Sequence, residues 1–463
     1  MKLRTLVVAM STITLAACGG ATTEEPVVSV PAPVAAPPVL TDYQQDLIEL
    51  EELILTSPGG SFESLRMPDS SDYFNIPQDP LNPITADKVQ LGKMLYHETG
   101  MTAGTQGSEF ENTFSCASCH NAQSGFKSGI VQGVGEGGMG FGDQRFNMVG
   151  EGSDTQPVTS PTVLNTAYQE AMLWNGQFGN QIDGIVNASV DPERLSTPDT
   201  PKQHNAKQWS GLEVQAIAGL GVHRLNVSED SPINKYDQYR ELVDRIGELD
   251  LLTTAAKSIA AYERTILANQ SPFQLYVNGQ RDAMGHAEVN GAKLFFGKAG
   301  CSACHSGPAL SSPVGATADE MFMAVAFGDL DMNEGINGTV DEATRKGRGG
   351  FTGNDWDNYK FKIPPLYNLK DTMVFGHGGT FTSVREVVEY KNAAIPQADI
   401  PLEYIDDRFV PLNLTEREID DLVMFLEEGL YDPNLMRYVP DTLPSGNCVT
   451  NNDEMSREQL GCN

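Results

Sequence analysis

"FSCASCHNAQSGF" at Phe114–Phe126 returns in altered form as "GCSACHSGPAL" at Gly300–Leu310. Each stretch holds Cys-x-x-Cys-His: Cys116, Cys119 and His120 in the first, Cys301, Cys304 and His305 in the second. Two thiols three positions apart, followed at once by an imidazole, suit covalent attachment of a c-type haem. The cysteines would form thioethers to its vinyl groups, and the histidine would sit beneath the iron as proximal ligand. A zinc site would want paired Cys or His at finger-like spacing, and a thioredoxin-type pair a βαβ setting. Neither surrounds these motifs, so two covalently bound haem c groups are expected.

The other cysteines fit an exported protein. Lys2 and Arg4 precede the apolar run Leu6–Leu15, which ends in "LAAC" at Cys18. This reads as an export signal over residues 1–17, and its ending resembles a bacterial lipoprotein signal in which Cys18 takes the lipid. No later stretch is apolar for the ~18 residues a membrane span requires, so the expected membrane contact is by lipid anchor only. The expected place is the periplasmic side of the bacterial envelope, at the outer membrane, since Gly19 and not Asp follows the cysteine. Cys448 and Cys462 remain, natural disulfide partners in an oxidising compartment. The net charge of −31 makes nucleic acid an unsuitable partner and would steer a basic protein toward the surface.

Composition divides the chain. Residues 18–40 are rich in Pro, Ala and Val and read as an extended linker. The helical segments "LGKMLYHETG" and "NGAKLFFGKAG" precede the two motifs in the same order of helix, glycine, motif. That repetition predicts an N-terminal haem domain over 41–250, a C-terminal one over 251–440, and a tail at 441–463 closed by the disulfide. Ile259, Tyr262 and Ile266 recur at helical spacing, and Thr415 with Glu418 forms a capping box before the stripe Ile419, Leu422, Val423, Leu426. Alternating strands are scarce. The expected fold class is mainly α: two cytochrome c-like haem domains with long loops and few short strands.

Several further stretches, in order, carry a resemblance: "LGKMLYHE", "SCASCHN", "PVTSPTVLNTAY", "LWNGQF", "AKSIAAYERTILANQSPFQLYVNG", "CSACHSGP", "KFKIPPLYNL" and "FGHGGTFTSVREVVEY". From about Leu91 to Glu428 the chain resembles the bacterial di-haem cytochrome c peroxidases and the related MauG-type di-haem oxidases. The resemblance implies that the His120 haem cleaves peroxide and the His305 haem stores an electron. It implies that Trp174 stands between the haems, that Gln215 matches a distal glutamine, and that His223 falls at or beside the position of an acid/base glutamate. Glu213 is the nearest spare carboxylate. A calcium ion between the domains is implied less directly, because the family's Asn position reads Thr159, while Thr372 matches a carbonyl donor.

Two departures stand out. The segment before "SPTVLN" has no histidine to block the first iron, which is therefore expected to be open at rest. The family's second axial ligand at the C-terminal haem, Met or Tyr, falls at Lys391 with Tyr390 one residue earlier; both remain open, with Met373 a more distant alternative. His377 matches a histidine outside the iron's ligands, and His97, His204 and His286 read as structural. The function implied is reduction of hydrogen peroxide with electrons from a small c-type cytochrome or cupredoxin. The alternatives are MauG-like oxidation of a partner protein or small substrate, and a non-enzymatic di-haem electron carrier.

Overall fold

Helix ends in this chain are written in short polar side chains. The computed structural model describes residues 40–102, 109–150, 152–179, 181–182, 185–186, 209–312, 316–330 and 340–462. The expected signal, Cys18, nearly all of the linker and His204 lie outside these described residues. Its longer helices are α1 (Asp42–Thr56), α2 (Ala86–His97), α3 (Gly211–Val222), α4 (Asp237–Ile246), α5 (Leu251–Arg264), α6 (His286–Phe296), α7 (Val384–Ala393), α8 (Glu416–Met424) and α9 (Glu454–Leu460). Thr85, Asp250, Ser383 and Thr415 cap α2, α5, α7 and α8 through side-chain oxygens that accept from backbone N–H groups. The capping box of Thr415 and Glu418 is present, and Ile419, Leu422 and Leu426 are buried. Among the described residues, strands occur only as short antiparallel pairs, such as Phe322–Met323 with Phe361–Lys362. The fold is mainly α.

The repeated glycine before each motif has a packing role. A Cβ at Gly92 of α2 would stand 1.9 Å from the Ser258 carbonyl oxygen of α5, and one at Gly291 of α6 would stand 2.0 Å from the Asp421 oxygen of α8. Each motif is thus preceded by a helix that crosses a later helix at backbone contact, which only glycine permits. Alanines on α5 (Ala255, Ala256, Ala260) are buried at the first crossing. Aromatic side chains close both sites: Tyr96 meets Tyr262 at 5.3 Å between ring centroids, and Phe295 meets Phe425 at 5.4 Å. Each such fully buried ring contributes about 1.5–3 kcal/mol. Helix α5, with which the expected second domain begins, packs on α2 and α3 and so lies beside the first motif. Asp42–Asn463 forms one compact unit.

The tail folds back over the first motif. Cys448 and Cys462 are disulfide-bonded, closing a loop that contains α9. The Thr450 carbonyl accepts from Ser115 Oγ at 2.8 Å, and Asn452 N donates to the Thr113 carbonyl at 2.9 Å.

Candidate haem sites

Helix phase selects what faces the first cavity. Gln215, Ala218, Gly219 and Val222 follow the i, i+3, i+4, i+7 rule along α3 and line a cavity of about 380 Å³. Cys116, Cys119 and His120 line the same cavity. His223 caps the C-terminus of α3 at the cavity wall, and its Nδ1 lies 2.9 Å from Asp154 Oδ2. The next residue, Arg224, adopts φ 56° and pairs with the buried carboxylate of Glu136. Glu136 of the glycine-rich loop 133–152, and Asp154 just after that loop, are thereby joined to the end of α3.

Glu213 requires a correction. Two residues before Gln215, it points to the other side of α3, fully buried, and is not in the cavity wall. Arg264 donates to it at 2.6 and 3.1 Å, and Asn82 at 3.1 Å, so its role is to tie α3 to α5. Besides Asp154, the carboxyl that does line the cavity is Glu263, which the sequence reading passed over. Burial, and secondly the charge of Glu213, push it up to about 8.

Buried Arg145 organises the loop that reads as irregular in sequence. It donates to the carbonyls of Val134, Gly135 and Gly140 at 2.7–2.9 Å, and Asp453 of the tail lies 3.6 Å away. Neither residue is marked by any local motif.

The second cavity, about 340 Å³, is lined by Cys301, Cys304 and His305. Helix α7 turns Val384, Val387, Val388 and Lys391 toward it, one face again at i, i+3, i+4, i+7. Of the two alternatives for an axial ligand, Lys391 lies in the wall and Tyr390 does not. Tyr390 donates to the Val325 and Ala326 carbonyls at 2.6 and 2.9 Å, and its ring packs against Phe327, Phe381 and Phe409. Met373 is half exposed and likewise outside the wall.

Trp174 lines both cavities, as do Pro161 and Phe361. Its Nε1 donates to the Thr159 carbonyl at 2.8 Å, and its ring centroid lies 6.4 Å from that of His377. His377 stacks on Phe361 at 3.6 Å and its Nε2 lies 3.1 Å from Asp329 Oδ1. Thr159 Oγ1 donates to the Gly376 carbonyl at 2.9 Å, and Thr372 N donates to the Leu369 carbonyl. His97 is buried with Nδ1 2.8 Å from the Lys93 carbonyl, and exposed His286 pairs with Asp46.

Both cavities fit a covalently attached haem. The four motif thiols are unpaired, and each pair opens onto an apolar space with its histidine. His305 Nδ1 lies 3.0 Å from the Leu310 carbonyl, which leaves Nε2 as the ligating atom. His120 Nδ1 is buried, with no hydrogen-bond partner among the described residues. Burial holds both imidazoles down to about 4, the uncharged form that can bind iron; His223 adds to the effect at His120.

Comparison with known proteins agrees with this geometry. The model of the family described as di-haem cytochrome c peroxidase matches residues 86–282. In sequence the chain is similar to the di-haem cytochrome c peroxidases and to MauG. It is 26% identical to the methylamine utilization protein MauG of Methylorubrum extorquens over 78% of this chain and 82% of that one. It is 27% identical to the cytochrome c551 peroxidase of Pseudomonas aeruginosa over 74% of this chain and 84% of that one. The crystal structure of a MauG-like protein associated with microbial copper homeostasis shares the fold, with TM-score 0.56 and 21% identity over 81% of this chain and 98% of that one.

Proposed function

We propose that this chain reduces hydrogen peroxide to water with two electrons and two protons, the electrons coming from a small c-type cytochrome or cupredoxin. The observation that carries the reading is an asymmetry between the cavities. Gln215 and the His223–Asp154 pair stand at the first, the second has hydrophobic α7 and Lys391, and Trp174 borders both. Haem, when bound, supplies redox-active iron and a seat for peroxide.

This chain's residues supply the rest. His223 takes a proton from one peroxide oxygen and returns it to the other, so that water and not bare hydroxide leaves. Asp154, which can only accept, keeps the neutral ring's proton on Nδ1. Gln215 orients peroxide from the same helix face. Trp174 stands between the sites as a relay for electrons or holes. Lys127 and Lys362 lie in the second wall with no carboxylate partner among the described residues, and would hold haem propionates.

The proposal places the protein on the periplasmic side of the envelope, anchored at the outer membrane by lipid on Cys18, after removal of the 1–17 signal. Among the described residues no helix is long and apolar enough to cross a membrane. The two haem domains of the sequence reading are kept as units of function. Calcium is left out, because Thr159 already commits its hydroxyl to Gly376.

A second reading, MauG-like oxidation of a partner protein, draws on one feature. The described residues of the first wall contain no histidine between Asp154 and Pro161 that could occupy the iron. Peroxide-dependent oxidation of a reduced small c-type cytochrome by the full-length protein, both haems attached, tests the proposal; negligible turnover refutes it.

A further inference from the structure

Lys391 is the outlying residue of the second cavity. It continues a hydrophobic helix face, Val384, Val387 and Val388, yet ends in an amine. Among the described residues its Nζ makes no hydrogen bond or ion pair. The faces of Phe327 and Phe409 lie near it, at 5.0 and 5.2 Å, and the charge of Asp406 reaches it without an ion pair. A cation at such a place has no hydrogen-bonded counter-ion, and weak ring contacts of about 0.5–2 kcal/mol do not replace water. Cys301, Cys304 and His305 line the same cavity, so the amine faces the space that would hold the haem.

Several other Lewis bases of this wall are engaged. Lys127 Nζ donates to the Val374 carbonyl at 3.1 Å, Lys362 Nζ to Gln169, and Tyr367 OH accepts from Gln274 at 2.7 Å. His377 is stacked on Phe361 and bonded to Asp329. Met323 also lines this wall, on a short strand paired with Phe361 and on a different element from Lys391.

We infer that Lys391 Nζ, as the neutral amine, is the axial ligand opposite His305 on the second haem iron. The burial of an otherwise unpartnered amine then has a cause, since its lone pair is used by the metal. Two consequences follow. A nitrogen donor without acceptor character favours ferric iron over a thioether, giving the second haem a lower potential than a methionine would. A filled axial position also closes this iron to peroxide and confines the chemistry to the His120 site. The inference rests on haem attachment at the second motif, which the proposed function shares, and not on peroxidase turnover.

Full-length protein carrying both haems is compared with its Lys391→Ala, Lys391→Met and Tyr390→Phe variants, with haem content per chain measured for each. The readouts are ferric spin state by electron paramagnetic resonance, the near-infrared charge-transfer band, and the number of haems that bind cyanide. Lys391→Ala is expected to turn one low-spin signal high-spin and raise the cyanide count by one. Lys391→Met is expected to stay low-spin with a shifted charge-transfer band and a raised midpoint potential, which keeps the test open should the alanine variant lose haem. Tyr390→Phe is expected to change none of these. An unchanged low-spin signal and cyanide count in Lys391→Ala, an unmoved band in Lys391→Met, or the same loss produced by Tyr390→Phe overturns the assignment. Cytochrome turnover is recorded separately, so its failure speaks to the proposed function alone.

Discussion

Asp154 Oδ2 lies 2.9 Å from His223 Nδ1, joining the segment just after the glycine-rich loop to the end of the helix that carries Gln215. A carboxylate that fixes the tautomer of an acid/base histidine acts on the rate of proton transfer, with little effect on substrate binding. His223→Ala is expected to lower kcat by roughly 10²–10³. Asp154→Asn should lower it by about tenfold with KM nearly unchanged, and Asp154→Glu should recover part of the loss. Steady-state rates decide this, and an Asp154→Asn variant within twofold of the parent would remove Asp154 from the mechanism.

Trp174 is the second test. Trp174→Phe keeps an aromatic ring between the cavities but loses the N–H that donates to the Thr159 carbonyl. A stability loss of about 1–3 kcal/mol is expected from the unpaired acceptor. Both haems should remain attached, while electron transfer between them slows by about tenfold or more. Rapid mixing with a fast reductant, following each haem separately, measures this; an unchanged rate would leave Trp174 a packing residue.

The tail offers a prediction about stability. Its disulfide closes a loop of 14 residues in sequence separation, worth about 3 kcal/mol by chain entropy. The loop holds Asp453 near Arg145 and Thr450 against Ser115, all beside the first motif. Replacing Cys448 and Cys462 by Ser should lower the unfolding temperature and perturb the Soret band of the His120 haem, leaving the His305 haem intact. Equal perturbation of both haems would contradict the assigned location of the clamp.

Glu263 predicts a pH dependence. Its folded pKa is raised, to about 8, chiefly by burial and then by Glu213. An acid that stays protonated in the fold while the unfolded chain ionises makes the fold lose stability as pH rises from about 4.5 to 8. Glu263→Gln should remove that component, so the variant gains on the parent at pH 8 more than at pH 4. Denaturant unfolding at the two pH values checks it, and parallel shifts would show that Glu263 does not titrate between them.

Much of this was legible in the sequence because it is local. The two Cys-x-x-Cys-His motifs, the glycine in the helix before each, and the capping box of Thr415 and Glu418 depend on neighbours within one or two turns. Helix phase could also have settled two choices that sequence matching left open. Glu213 lies on the wrong side of α3 from Gln215, and Tyr390 lies off the valine face that Lys391 continues. What the sequence conceals are pairings between distant segments, such as Asp154 with His223 and Arg145 with Asp453. These polar contacts bear no periodicity, and they form only once the loop and the tail close over the first cavity.

The most direct measurement mixes the full-length protein, both haems attached, with hydrogen peroxide and reduced small c-type cytochrome, starting from fully oxidised and from half-reduced samples. The account predicts that two cytochromes are oxidised per peroxide, and that the oxidised sample turns over without a lag because the iron at His120 is open at rest. Cytochrome that stays reduced from both starting states, in protein whose haem content is complete, would contradict it.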